Sequence, residues 1–194
     1  MITRTIILAL AITFSLSVIL LTGCSMSRAN EDNASLGIPA KELLLDAGAF
    51  PDGWTFNPCG DNCERIEGVA HAERSYFLPN VPGLVLLEVS RFANIEASRR
   101  KYRTYFETDF RERVPPNVQF TPPLAASFQS DFADEYHFGC GIDEVPGCHA
   151  IFRYGSYFVH LYASWDNGNG EGLQLSEIQQ LLQALDERVI ARLR

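Results

Sequence analysis

The sequence predicts an α+β fold, a mostly antiparallel sheet of about five strands packed with helices in the order α-β-β-α-β-β-β-α. Three observations predict it. The run Leu84-Val85-Leu86-Leu87 is apolar at every position, as in a strand covered on both sides. From 157 to 165 the side chains alternate, with Tyr157, Val159, Leu161, Ala163 and Trp165 facing one way and Phe158, His160 and Tyr162 the other. Near the C-terminus, Ile178, Leu181, Leu182, Leu185, Val189 and Leu193 recur at helical spacing.

The first segment stands outside that fold. Residues 1–5 carry one positive charge, Arg4, and an apolar run over 6–21 follows, interrupted only by Thr13, Ser15 and Ser17. Its 16 residues fall short of the roughly 20 that span a bilayer as a helix, and small residues close it. The closing residues are Leu21-Thr22-Gly23-Cys24. They resemble the lipobox of bacterial lipoproteins. The resemblance implies that 1–23 is a lipoprotein signal peptide removed by signal peptidase II and that Cys24 becomes the lipidated first residue. Ser25 in place of Asp is similar to anchors exported to an outer membrane. The expected address is therefore the cell membrane or the outer membrane, on the extracytoplasmic side. Residues 24–37 are expected to be a lipidated flexible tether, with an end-to-end distance of about 20 Å. That leaves 38–194 as a single globular domain.

Charge narrows the partners. The formal net charge is −8, and removing Arg4 with the signal segment brings it to −9. An acidic surface repels phosphate backbones, so nucleic acid is excluded as a partner. Anionic headgroups would repel it too, which leaves the lipid on Cys24 to hold the membrane. An envelope protein or a small ligand is the expected further partner.

Within the domain, Pro39 opens a short helix with Leu43, Leu44 and Ala47 on its apolar side, and Gly48 ends it. The turn Pro51-Asp52-Gly53 leads to Trp54, a core anchor by size. Strands are expected over 73–78 and 84–92, joined at Pro79-Asn80-Val81-Pro82-Gly83. Asn94 reads as the cap of a helix over 95–113, in which Ser98, Tyr102, Tyr105, Phe106 and Phe110 recur. Its cluster Arg99-Arg100-Lys101-Arg103 is a solvated face or, on a sharper reading, a headgroup contact. Pro115, Pro116, Pro122 and Pro123 bracket a connection without helix. Three strands follow, over 133–140, 148–154 and 157–165, the last two joined by a Gly155-Ser156 hairpin. Residues 166–172 form a glycine-rich turn, and Ser176 with Gln179 fits a capping box for the final helix. The domain is similar to small extracytoplasmic α+β domains of bacterial lipoproteins and kinase sensors. It shares with them Pro51-Asp52-Gly53-Trp54 and Arg153-Tyr154-Gly155-Ser156 before a terminal amphipathic helix. That likeness implies a fold and no catalytic residues.

Apart from Cys24 there are four cysteines, Cys59, Cys63, Cys140 and Cys148, an even number that suits two disulfides outside the cytoplasm. The preferred pairing is Cys59–Cys63 and Cys140–Cys148, since each pair flanks turn-rich residues; a crossed pairing stays open. His137, Cys140, Cys148 and His149 have the residue types of a zinc site, but neighbours in a strand point to opposite faces. Three residues separate Cys59 from Cys63, where dithiol redox motifs have two. Asp134, Glu135, His137, Asp143 and Glu144 cluster without a nucleophile elbow. In the glycine turn, Asp166 and Glu171 oppose phosphate, and their spacing does not follow a calcium loop.

No catalytic residue, metal or cofactor is therefore assigned. The expectation is a lipid-anchored, non-enzymatic binding or sensing domain at the cell envelope. The alternatives are an envelope hydrolase or metal-dependent enzyme using His137 and the neighbouring acids, and an accessory protein docking onto an envelope complex.

Overall fold

The structure is a computed structural model, which describes residues 37–57, 65–66, 69–79, 83–111, 120–143, 145–166, 168, 170 and 172–194. The expected signal segment, Cys24, nearly all of the expected tether, and Cys59 with Cys63 lie outside the described residues. Among the described residues seven strands are present: β1 (Thr55–Asn57), β2 (Arg65–Ile66), β3 (Val69–Phe77), β4 (Leu84–Arg91), β5 (Glu135–Asp143), β6 (Val145–Tyr154) and β7 (Tyr157–Ser164). They form one antiparallel sheet in the order β1-β3-β4-β7-β6-β5, with β2 also paired to β3. Among the described residues two α-helices complete it, α1 (Ile95–Tyr105) and α2 (Leu175–Leu193). The α+β class and the antiparallel sheet are as the sequence predicts. Among the described residues, no helix is long and apolar enough to cross a membrane.

The central strands explain why the sheet is covered on both faces. Val85, Leu87 and Val89 of β4 and Val159, Leu161 and Ala163 of β7 are fully buried on one face. There they meet Ile178, Leu181, Leu182, Leu185 and Val189 of α2. Burying each such side chain stabilises the fold by roughly 1.5–3 kcal/mol. The opposite face carries Ile151 and Phe158, packed with Tyr102, Phe110 and Phe120 under α1. Between β6 and β7, Tyr154 pairs with Tyr157, so the turn is Gly155-Ser156, and Gly155 has the positive φ of 57° expected there.

Tyrosine hydroxyls tie the layers. Tyr76 donates to the Leu45 carbonyl at 2.6 Å and Tyr157 to the Ile38 carbonyl at 2.9 Å. Tyr154 donates to buried Asp186 of α2 at 2.6 Å, and Ser130 donates to the same oxygen at 2.8 Å. Burial and the Asp186 carboxylate both raise the Tyr154 pKa, so this hydroxyl keeps its proton.

Several elements differ from expectation. The opening helix is instead two 3₁₀ turns, Ala40–Leu43 and Ala47–Ala49, neither with a side-chain cap. Leu43, Leu44 and Leu45 are all buried, and three consecutive residues cannot all point inward from a one-faced helix. Arg188 pins these turns to α2, donating to the Glu42 carbonyl at 3.1 Å and to Asp46 at 2.8 Å. Strands β1 and β2 are additional to the expected five; among the described residues they have three and two residues. Trp54 is half-buried, stacked on Phe50 with centroids 5.6 Å apart. The cap of α2 is Gln174 with Glu177, not Ser176 with Gln179. Gln179 has other partners, since its carbonyl oxygen accepts from Ser127 and Phe128.

Helix α1 begins at Asn94, whose side chain accepts from the Ala97 N–H at 2.9 Å. It does not continue regularly to 113, because after Tyr105 it widens into a π-helical turn, Phe106–Arg111. The Thr104 and Thr108 hydroxyls donate to carbonyls four residues back, which loosens the α ladder at that point.

Strands β5 and β6 run past the expected ends to Asp143 and Val145, so Cys140 and Cys148 face each other within the ladder rather than across a loop. They form a disulfide, with Cα atoms 4.0 Å apart. The backbone groups of Cys140 bond to Thr121 on the far side, leaving the pair free to approach. Closing this short loop restricts the unfolded chain, so replacing both cysteines by alanine is expected to lower the unfolding free energy by about 2–3 kcal/mol. Urea denaturation of the oxidised protein and the double variant measures it.

Candidate functional site

The candidate site lies on the sheet face beneath α1. Cross-strand register places His71, Ser90, Phe158, Arg153 and Glu135 in one row there. Glu73, Glu88, His160, Ile151 and His137 form the next row, and His149 with Tyr162 begins a third. All four histidines of the chain therefore share this face.

Three of these residues join a fourth from the π-helical turn. Glu88 Oε2 is 3.1 Å from His160 Nδ1, and His160 Nε2 is 3.0 Å from His149 Nδ1. Asp109 Oδ2 lies 3.7 Å from that same His149 nitrogen. The Tyr105 hydroxyl donates to Glu88 Oε2 at 3.3 Å. Both histidines are buried, and the Asp109 and Glu88 side chains are 14% and 21% exposed. The widened turn turns Phe110 inward beside Asp109, where it packs on His137 and Phe120.

The chemistry follows from donor and acceptor roles. A carboxylate only accepts, so His160 donates through Nδ1 to Glu88. A neutral His160 then presents the Nε2 lone pair to His149. The hydrogen bond from His160 holds Glu88 below the usual glutamate range, against the opposing effect of burial. Burial and neighbouring Glu88 raise the Tyr105 pKa, which keeps it a donor. What results is a line of aimed nitrogen and oxygen atoms under a helix.

The other expected residues go elsewhere. Cys140 and Cys148 lie in the core on the opposite face from His149, joined to each other, so they supply no thiolate to the suggested zinc set. His137 sits edge-on to Phe106 and Phe110, with centroids 4.8 and 4.4 Å away. Asp134 and Glu135 grip buried Arg153 instead, at 2.9 and 2.7 Å. Asp134 also accepts from the Gly155 N–H at 2.6 Å, which fixes the hairpin turn. The side chains of Asp143 and Glu144 lie outside those described. In the glycine turn, the Asp166 carboxylate accepts from the amides of Gly168 and Gly170, so the protein's own anion fills that cradle. On α1, Arg99 pairs with Glu96 and Lys101 lies over the Tyr105 ring at 4.5 Å, while Arg100 and Arg103 are exposed. A separate polar cleft of about 400 Å³ lies between residues 127–132 and α2.

His149 is thus the one member of the suggested zinc set that enters the site. Glu88, Asp109 and His160 were not singled out by sequence reasoning. A signal existed for two of them. Glu88 is a lone acid inside an apolar strand, and His160 stands on the second aromatic face of β7.

No family model, curated protein or solved structure matches this chain.

Burial of His137 lowers its pKa from the ordinary 6.5. As pH falls below about 6.5, the unfolded chain takes up a proton that folded His137 declines, so stability is lost until the folded pKa is passed. Above that window His137 contributes nothing to the slope. Urea midpoints measured between about pH 5 and pH 8 should fall less steeply on the acid side for His137→Phe than for the parent protein.

Proposed function

We propose that the chain is a lipid-anchored extracytoplasmic protein whose domain binds or senses a ligand at the cell envelope without turning it over. The observation that carries the binding half is the buried line Glu88–His160–His149–Asp109, roofed by α1 and the π-helical turn. Such a cluster of aimed, mutually held donors in a covered position is an arrangement for capture. The Cys140–Cys148 disulfide supports the address, since structural disulfides persist in oxidising compartments. The Leu21-Thr22-Gly23-Cys24 sequence supports the anchor.

The hydrolase alternative takes no support from His137, whose ring meets phenylalanines while Asp134 and Glu135 hold Arg153. The accessory-docking alternative has one feature in its favour, exposed Ile142 and Val145 near the turn between β5 and β6.

Two measurements test the proposal. Fed labelled palmitate in a bacterial host, the parent chain should become labelled and sediment with membranes. Cys24→Ser should carry no label and keep its uncleaved 1–23 segment, seen as a larger intact polypeptide. Native mass spectrometry of the lipidated protein should show a non-protein ligand that the His149→Ala, His160→Ala double variant lacks.

A further inference from the structure

We infer that Asp109, His149 and His160 form a site for one divalent transition-metal ion of the zinc class. This rests on reading the line beneath α1 as a binding centre and names what it takes.

The geometry comes first. One ligand atom from each of the three residues lies within 4.8 Å of the others, with separations of 3.0 Å from His160 to His149 and 3.7 Å from His149 to Asp109. Donors around a tetrahedral zinc, at bonds of about 2.0–2.1 Å, stand about 3.3–3.4 Å apart. The 3.0 and 3.7 Å separations straddle that spacing, so small shifts would close three atoms around one ion. A fourth position is left for water or an incoming ligand atom.

Donor type sets the class of ion. Two imidazoles and a carboxylate suit zinc and its first-row neighbours, whereas magnesium and calcium take oxygen donors. Orientation points the same way. Glu88 accepts from His160 Nδ1, which fixes the ring with Nε2 aimed inward, and Tyr105 steadies Glu88 in turn. A carboxylate behind a ligating histidine is a recurrent support of metal sites. The two nearby carboxylates also match the charge of a divalent cation.

The fold holds the ligands on three separate elements. His149 lies on β6 and His160 on β7, as diagonal neighbours in the paired strands, and Asp109 descends from the π-helical turn. With no ion, a hydrogen must sit between the two facing ring nitrogens, 3.0 Å apart. Metal binding puts the ion in its place. His149 would then carry a hydrogen on Nε2.

The test uses the full lipidated protein in detergent, stripped with a chelator and titrated with zinc chloride against a chromophoric competitor. One ion per chain is expected. His149→Ala, His160→Ala and Asp109→Asn should each weaken binding by about 100-fold or more, and Glu88→Gln by about 10–100-fold. His71→Ala and His137→Phe, which keeps a ring against Phe106 and Phe110, should retain the parent affinity, and magnesium chloride should not compete. Cobalt(II) in place of zinc should give the intense visible bands of a low-coordinate site, lost in Asp109→Asn.

Absence of zinc binding by the parent protein overturns the site. So does unchanged affinity in the three ligand variants, or an equal loss in the His71 and His137 controls. Circular dichroism and hydrogen exchange establish that each variant folds. Where an alanine variant does not fold, Asp109→Asn decides by the same criterion. If zinc is not bound but the double histidine variant still loses a non-metal ligand, the metal assignment fails and the binding reading stands. If neither changes, both fail.

Discussion

Successive side chains of a strand point to opposite sides, and β7 uses its two sides for two different purposes. Val159, Leu161 and Ala163 press into the dry layer against α2, while Phe158, His160 and Tyr162 face α1. Because β7 lies between β4 and β6, its alternation is imposed on both neighbours through the ladder. A slip of one residue would send His160 into the leucine layer and Leu161 among the carboxylates. The apolar face thus sets the register, and the register assembles the histidines.

That assembly is costly unless each buried polar group finds a partner. On the α1 face the partners are present. Arg153, deeply buried, meets Asp134 and Glu135, and His71 meets Ser90 at 2.9 Å. His160 meets Glu88 on one side and His149 on the other. Such arrangements contribute little to stability compared with apolar packing of equal volume. On the opposite face the packing is mostly apolar, and the few buried polar groups, Tyr154, Ser130 and Asp186 among them, hold one another.

Legibility in the sequence followed the same division. The stripe of α2, the Gly155-Ser156 turn and the two-sided cover of β4 and β7 were readable because each depends on local period or turn chemistry. The Cys140–Cys148 pair was readable from separation and turn residues, although the strands proved longer than supposed. The opening residues misled: their apolar positions suit a helix, but Leu43, Leu44 and Leu45 are all drawn inward by tertiary packing. The cap of α2 was displaced because two residue pairs share the required spacing of three, and Gln179 was drawn to residues 127–128. Asp109 carried no signal at all. The spacing of aromatic residues through Phe110 is helical, and it does not report that the ladder widens after Tyr105. Likewise, His149 and His160 are eleven positions apart, and only the pairing of β6 with β7 brings them together.

The rims of the sheet have a consequence for the behaviour of many copies. At one rim, the described residues give three in β1 and two in β2 beside β3. At the other, Thr121 bridges to Cys140, and Gly139 makes room for it, since a Cβ there would lie 2.5 Å from the Phe120 carbonyl oxygen. Both borders are thereby blunted against strand addition by a neighbour. Lipids that confined such molecules to a plane would make collisions frequent, and borders of this kind would keep the crowd from zipping into fibrils.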